Sequence, residues 1–175
     1  MRHLKNKIKI LFVYRSLLSF VKGDLEILRR HFEVFPVQWR GKRDIPRIAQ
    51  GVLKSDLTFS WFASDHAAVT VFFSKLFRKK SIVVVGGYDA AYVPEINYGA
   101  FTNIKGKIPA KYIYKNATKI LVVDPSLKAD IIKNAKLNGF NIDYLPTGYD
   151  PNYWKPGNKK EKIVLTVGII RDTVV

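Results

Sequence analysis

Runs of apolar residues alternate with stretches in which apolar positions recur every three to four residues. Residues 7–14 (Lys-Ile-Lys-Ile-Leu-Phe-Val-Tyr) alternate and then turn solidly apolar, which predicts a first strand. A loop over 15–21 follows. A helix is expected over 22–32, with Leu25, Leu28 and Phe32 on its inner side. Residues 33–39 read as a second strand, and Pro36 within it predicts an edge position or an early break. A helix over 44–55 carries the stripe Ile45, Ile48, Ala49, Val52 and Leu53, with Asp44 as its expected cap and Pro46 in its first turn.

Residues 57–63 predict a third strand. A helix over 66–77 follows, capped by Ser64 or Asp65. The strand at 81–85 (Ser-Ile-Val-Val-Val) is short, continuous and β-branched, as in a parallel sheet buried on both faces. No period is visible from 90 to 106, so a long ordered loop is expected there. A helix over 108–115, a strand over 119–123 and a helix over 127–138 follow. Asp124 or Ser126 is the expected cap of the last of these, Pro125 lies near its start, and Gly139 is its expected stop. A strand over 142–145 comes next, then a polar, basic stretch over 152–162 that reads as a linker, then a buried-type strand over 163–168. Such alternation predicts an α/β fold: a Rossmann-like parallel sheet flanked by helices, joined by right-handed crossovers.

Ligands of open α/β sheets bind beyond the carboxyl ends of strands. Gly86, Gly87, Tyr88 and Asp89, directly after the central strand, are therefore the first candidates for a site lip. The plain alternative is a tight turn without chemistry. Asp65 and His66 stand where another strand hands over to a helix, on the same edge. His66 there is either an acid/base or hydroxyl-binding group or a simple helix-start residue.

Composition narrows the choices. The 175 residues allow one domain with a real core, and the absence of cysteine excludes disulfides and thiolate metal sites. That absence suits a cytoplasmic location. No apolar run reaches the ~18 residues of a membrane span, and the stretch after the basic N-terminus is too short for a signal peptide. Without a secretion signal, the sequon at Asn116-Ala-Thr118 carries little weight. The net charge of +16 implies an anionic partner: nucleic acid, phospholipid head groups or a phosphorylated substrate. Lys5, Lys7 and Lys9, and Arg78, Lys79 and Lys80, precede strands and belong to the opposite edge of the sheet. Arg40, Lys42, Arg43 and Arg47 follow a strand and belong near the site rim.

Several chemistries lack their motif. The loop after the first strand has one glycine, Gly23, and the second strand ends in Gln38-Trp39-Arg40 with no acid for a ribose, which argues against a nicotinamide dehydrogenase. No phosphate-binding loop of the nucleotide-triphosphatase type is present. His3, His31 and His66 have no metal-ligand spacing, so no metal site is expected. Trp39-Arg-Gly-Lys-Arg43 interleaves an aromatic with base, but no DNA- or RNA-binding motif accompanies it, so nucleic acid is not among the expected partners.

At Leu145-Pro-Thr-Gly-Tyr-Asp-Pro-Asn-Tyr-Trp-Lys-Pro156 the chain resembles group 1 (family 4) glycosyltransferases. These carry a Pro-Asn-Gly-Val-Asp…Phe-x-Pro signature between two domains. Pro146, Gly148, Asp150 and Pro156 match it; Thr147, Tyr149 and Trp154 replace Asn, Val and Phe. The stretches 120–128 and 163–168 are similar to the family's strand-turn-helix and first C-terminal strand. The resemblance implies one half of a GT-B fold. Residues 1–151 would form the N-terminal, acceptor-side domain, 152–162 the interdomain linker, and 163–175 the first strand of a truncated donor-binding domain.

The implied activity is retaining transfer of a sugar from a nucleotide-sugar donor to a sugar or lipid-linked acceptor. The implied location is the cytoplasm, peripheral at an anionic inner membrane face. Donor site and paired glutamates belong to the missing C-terminal domain, so no cofactor is expected in this chain and the piece alone should be inactive. Two departures stand out: residues 16–22 lack the family's glycine pair, and Gly86-Gly-Tyr-Asp89 stands where many members have a His. No catalytic residue is assigned; Tyr88 and Asp89 are expected to line the acceptor side, with Asp89 bonding a hydroxyl. The alternative is a non-enzymatic basic α/β module that binds nucleic acid.

Overall fold

The computed structural model describes residues 7–149, 151, 152, 155, 157 and 162–164. Among these residues six strands form one sheet: β1 (Lys9–Tyr14), β2 (Glu33–Gln38), β3 (Leu57–Trp61), β4 (Lys80–Val85), β5 (Lys119–Val122) and β6 (Ile142–Tyr144). Five α-helices alternate with them: α1 (Ser19–His31), α2 (Ile45–Lys54), α3 (Asp65–Leu76), α4 (Ile104–Asn116) and α5 (Pro125–Ala135). All pairings are parallel, in the order β2-β1-β3-β4-β5-β6. The expected Rossmann-like α/β class is the class observed. Pro36 lies on the edge strand β2, opposite Phe12 of β1, where a missing donor costs least.

The strand order decides where the helices go. The first crossover, β1 to β2, runs in one direction along the sheet. Each of the other four runs in the opposite direction. Right-handed connections then put α1 on one face and α2 to α5 on the other. Residue parity in the core agrees. Ile10, Phe12, Phe59, Trp61 and Val84 pack with Val21 and Leu25 of α1. Leu11 and Val13 pack with Ile48 and Val52 of α2, whereas Val83, Val85, Ile120 and Val122 pack among α3 to α5. The run Ile10 to Val13 is buried throughout, because β1 has helices over both faces.

Boundaries differ from expectation in several places. Helix α1 starts at Ser19, three residues before the expected start, because Phe20 and Val21 join the α1-side core. Asp44 stands at the N-cap position of α2 as expected but makes no side-chain bond to the helix; its carboxylate instead accepts the Arg40 amide at 2.6 Å and closes the preceding turn. The expected loop over 90–106 is largely built. It holds single turns of 3-10 helix at Pro94–Ile96 and Ala100–Thr102 and a Val93–Tyr98 bridge, and its end belongs to α4. Gly106 and Pro109 look like breakers, yet both lie within α4: Asn103 Oδ1 accepts the Gly106 amide at 2.9 Å and starts the helix. Finally, α5 ends at Ala135 with Lys136 in the left-handed region (φ 58°), so Gly139 is not its stop but forms the turn into β6. Asp124 caps α5 as expected, accepting the Ser126 amide at 2.9 Å. Of the expected strand at 163–168, Ile163 and Val164 are exposed and outside any strand; 165–168 lie outside the described residues.

Candidate functional site

Every strand points the same way, so all carboxyl ends lie on one edge. The order β2-β1-β3 makes β1/β3 the switch point, where outgoing loops diverge and leave a crevice. A half-exposed carboxylate occupies it. Asp65, the first residue of α3, pairs through Oδ1 with the guanidinium of Arg15, just beyond β1. Its Oδ2 accepts from Trp39 Nε1 at 3.1 Å, just beyond β2. Gln38 Nε2 donates to the Arg15 carbonyl at 3.2 Å. The exits of β1, β2 and β3 are therefore tied together through one acid. Arg15 and Asp65 side chains stay 54% and 52% exposed, open to a ligand. The His66 side chain, the Arg15 guanidinium and the His66 amide hold the Asp65 carboxyl well below its ordinary value of 3.8, against partial burial, which raises it. The site thus offers a permanent carboxylate beside a forked donor, a combination that binds hydroxyl groups.

Next to it the backbone is strained. Phe62, at the exit of β3, adopts φ 71°, a region in which a bulky side chain is an outlier. Its amide is held by the Val84 carbonyl at 2.8 Å, and its ring packs against Trp61 and Phe20. Gly86 makes room for that ring: a Cβ there would lie 2.6 Å from Phe62 Cε1. Gly87 has φ 133°, which excludes most side chains.

The predicted lip residues divide. Gly86, Gly87 and Tyr88 do form the carboxyl exit of β4, and Tyr88 is 52% exposed with its ring edge-on to Tyr98. Asp89 is turned inward and almost fully buried. Its Oδ2 accepts from the Ala63 amide at 2.8 Å, and its Oδ1 from the Gly87 and Gly86 amides at 3.0 and 3.2 Å. Burial raises its carboxyl, opposed by those same amides. Asp89 therefore staples the exit of β4 to that of β3, and the expectation that it bonds an acceptor hydroxyl is corrected. His66 is also buried. Its Nε2 donates to the Trp61 carbonyl at 2.7 Å and its Nδ1 lies 2.9 Å from Ser64 Oγ, so both ring nitrogens are satisfied inside the protein. Of the expected pair, Asp65 faces the crevice and His66 locks the strand-to-helix turn behind it.

The stretch that resembles an interdomain signature leaves β6 and lies against α1. A groove of about 570 Å³ runs between them, lined by Ser19, Phe20 and Asp24 on one side and Thr147, Gly148 and Tyr149 on the other. Pro146, Gly148 and Tyr149 are exposed; Asp150, Trp154 and Pro156 lie outside the described residues. Asp24, half-buried at this groove, accepts from Trp61 Nε1 at 3.0 Å. Burial raises its carboxyl, and the Trp61 bond works against that.

Sequence reasoning missed Arg15, Trp39, Phe62 and Asp24. Only Trp39 carried a signal, as the one aromatic of a basic cluster, and it pointed the wrong way: the indole is turned inward to Asp65. No family model matches the chain, and no curated protein matches it. The resemblance at 145–156 therefore rests on the residues quoted for it.

Proposed function

We propose that this chain is the acceptor-binding half of a retaining glycosyltransferase, in which the Arg15–Asp65 pair at the β1/β3 crevice bonds acceptor hydroxyls and a separate half supplies the nucleotide-sugar site. One observation supports this reading above the others: the signature-like exit of β6 is exposed and runs back along α1, whose first turns follow β1 directly. A chain leaving there toward a second body would cover the crevice edge. The reading extends to a sugar or lipid-linked acceptor and to peripheral association with an anionic membrane, for which the net charge of +16 is the support. No helix among the described residues is long and apolar enough to cross a membrane.

Two measurements test it together: the intact mass of the protein in its source cell, and nucleoside diphosphate release when that protein is given nucleotide sugars and a lipid extract. A mass about twice that of this chain, with release that falls at least tenfold in the Asp65→Ala variant, is the expected result. A mass equal to this chain and no release would overturn the reading.

A further inference from the structure

Helix α4 is apolar on two opposite sides. Ala110, Ile113 and Tyr114 face the core. On the outward side, Ile104 and Ile108 stand one turn apart and are 73% and 65% exposed. Lys111 and Lys115 continue the same outward stripe at helical spacing, and Lys105 and Lys107 flank it. Folding gives no reason for isoleucine there, since that side touches no core. The turn before the helix adds Ile96, 63% exposed, and the exposed Tyr92.

A cavity of about 530 Å³ opens beside this stripe, lined by Tyr92, Ile104 and Lys107, and by Lys133 of α5. Neither lysine pairs with a carboxylate among the described residues. From Ile96 to Val123 the sequence has five lysines (105, 107, 111, 115 and 119) and no acid, and the adjoining turn adds one exposed acid, Glu95. Exposed isoleucines flanked by lysines, of which Lys119 alone pairs with a carboxylate in the ion pairs described (Asp143), form the pattern of an interfacial helix on an acidic bilayer. A polyanion such as RNA would need the lysines but not the isoleucines.

We infer that the outward stripe of α4 and the adjoining 92–96 turn dock this protein on an anionic phospholipid bilayer. Ile96, Ile104 and Ile108 enter the head-group boundary, and the lysines, Lys107 and Lys133 at the cavity foremost, meet lipid phosphates. Tyr88 accepts the Ala100 amide through its carbonyl at 2.7 Å, so the site lip is tied to the Ala100–Thr102 turn that leads into α4. The inference rests on the membrane part of the proposed function and not on sugar transfer.

The test is co-sedimentation of the full chain with vesicles of phosphatidylglycerol and phosphatidylcholine, or of phosphatidylcholine alone, at ~0.1 M salt. The wild-type chain is expected to bind the anionic vesicles only. Ile104→Ser/Ile108→Ser should lower its partition about tenfold or more. Lys107→Glu/Lys111→Glu should lower it by roughly fivefold for each lysine lost. The control Arg47→Glu/Lys54→Glu on α2 makes the same charge change and should alter binding far less; circular dichroism checks that every variant is folded. Equal loss in the control and lysine variants, or undiminished binding of the isoleucine variant, would overturn this surface while leaving membrane association standing. Failure of the wild-type chain to bind anionic vesicles would overturn both.

Discussion

Asp89 shows how a residue can sit at a site without touching a ligand. Its two oxygens accept from amides on opposite sides, Ala63 on one and Gly86 with Gly87 on the other. Asparagine can accept through one end only, and its own NH2 would face an N–H at the other. We therefore expect Asp89→Asn to destabilise the domain by about 1–3 kcal/mol, the cost of an unsatisfied buried donor, although relief of the buried charge offsets part of it. Urea unfolding with unchanged midpoint would contradict the staple. The sequence placed Asp89 correctly at the carboxyl edge. It could not show which way the carboxylate points, because the three amides it serves come from two different strand exits.

Helix α4 illustrates conflict between local propensity and packing. In an exposed helix, replacing glycine by alanine gains roughly 1 kcal/mol. At Gly106 a Cβ would lie 2.5 Å from the Ala100 carbonyl oxygen, which is backbone and cannot swing aside. Gly106→Ala should therefore destabilise the protein, seen as a lower urea midpoint; a higher midpoint would mean that the Ala100–Thr102 turn yields easily. Periodicity failed over 90–106 because its turns are single, held by contacts such as Phe101 N to Ala91 O at 3.2 Å rather than by any repeat. It succeeded for β1, β4 and α2, whose apolar stripes are long enough to declare a period.

Among the described residues the two faces of the sheet are unequal, because four of the five crossovers run the same way. Among the described residues, the face that carries α1 has no other helix, so side chains of β5 pointing there are less covered than their neighbours. Ile120, on the four-helix face, is fully buried, whereas Leu121, on the α1 face, is only partly so. Ile120→Ala should cost about 2–5 kcal/mol and Leu121→Ala distinctly less, as urea unfolding of the two variants would read. Equal losses would mean that the α1 face is covered as fully as the other.

By itself the sequence determined the α/β class and the succession of strands and helices along the chain, and it pointed to an edge or an early break at β2 and to the carboxyl edge of the sheet for a candidate site. Each follows from local patterns: continuous β-branched runs, helical stripes, an internal proline, and glycines at strand exits. Tertiary structure alone decided the rest. It set the strand order, and with it the β1/β3 crevice; it joined Arg15 to Asp65 across 50 positions of sequence, and Trp39 to the same carboxylate across 26. It turned Asp89 and His66 inward and left Ile104 and Ile108 out. The reason is that a side chain's exposure and partners depend on which distant backbone packs beside it, and that information is carried by no short stretch of the chain.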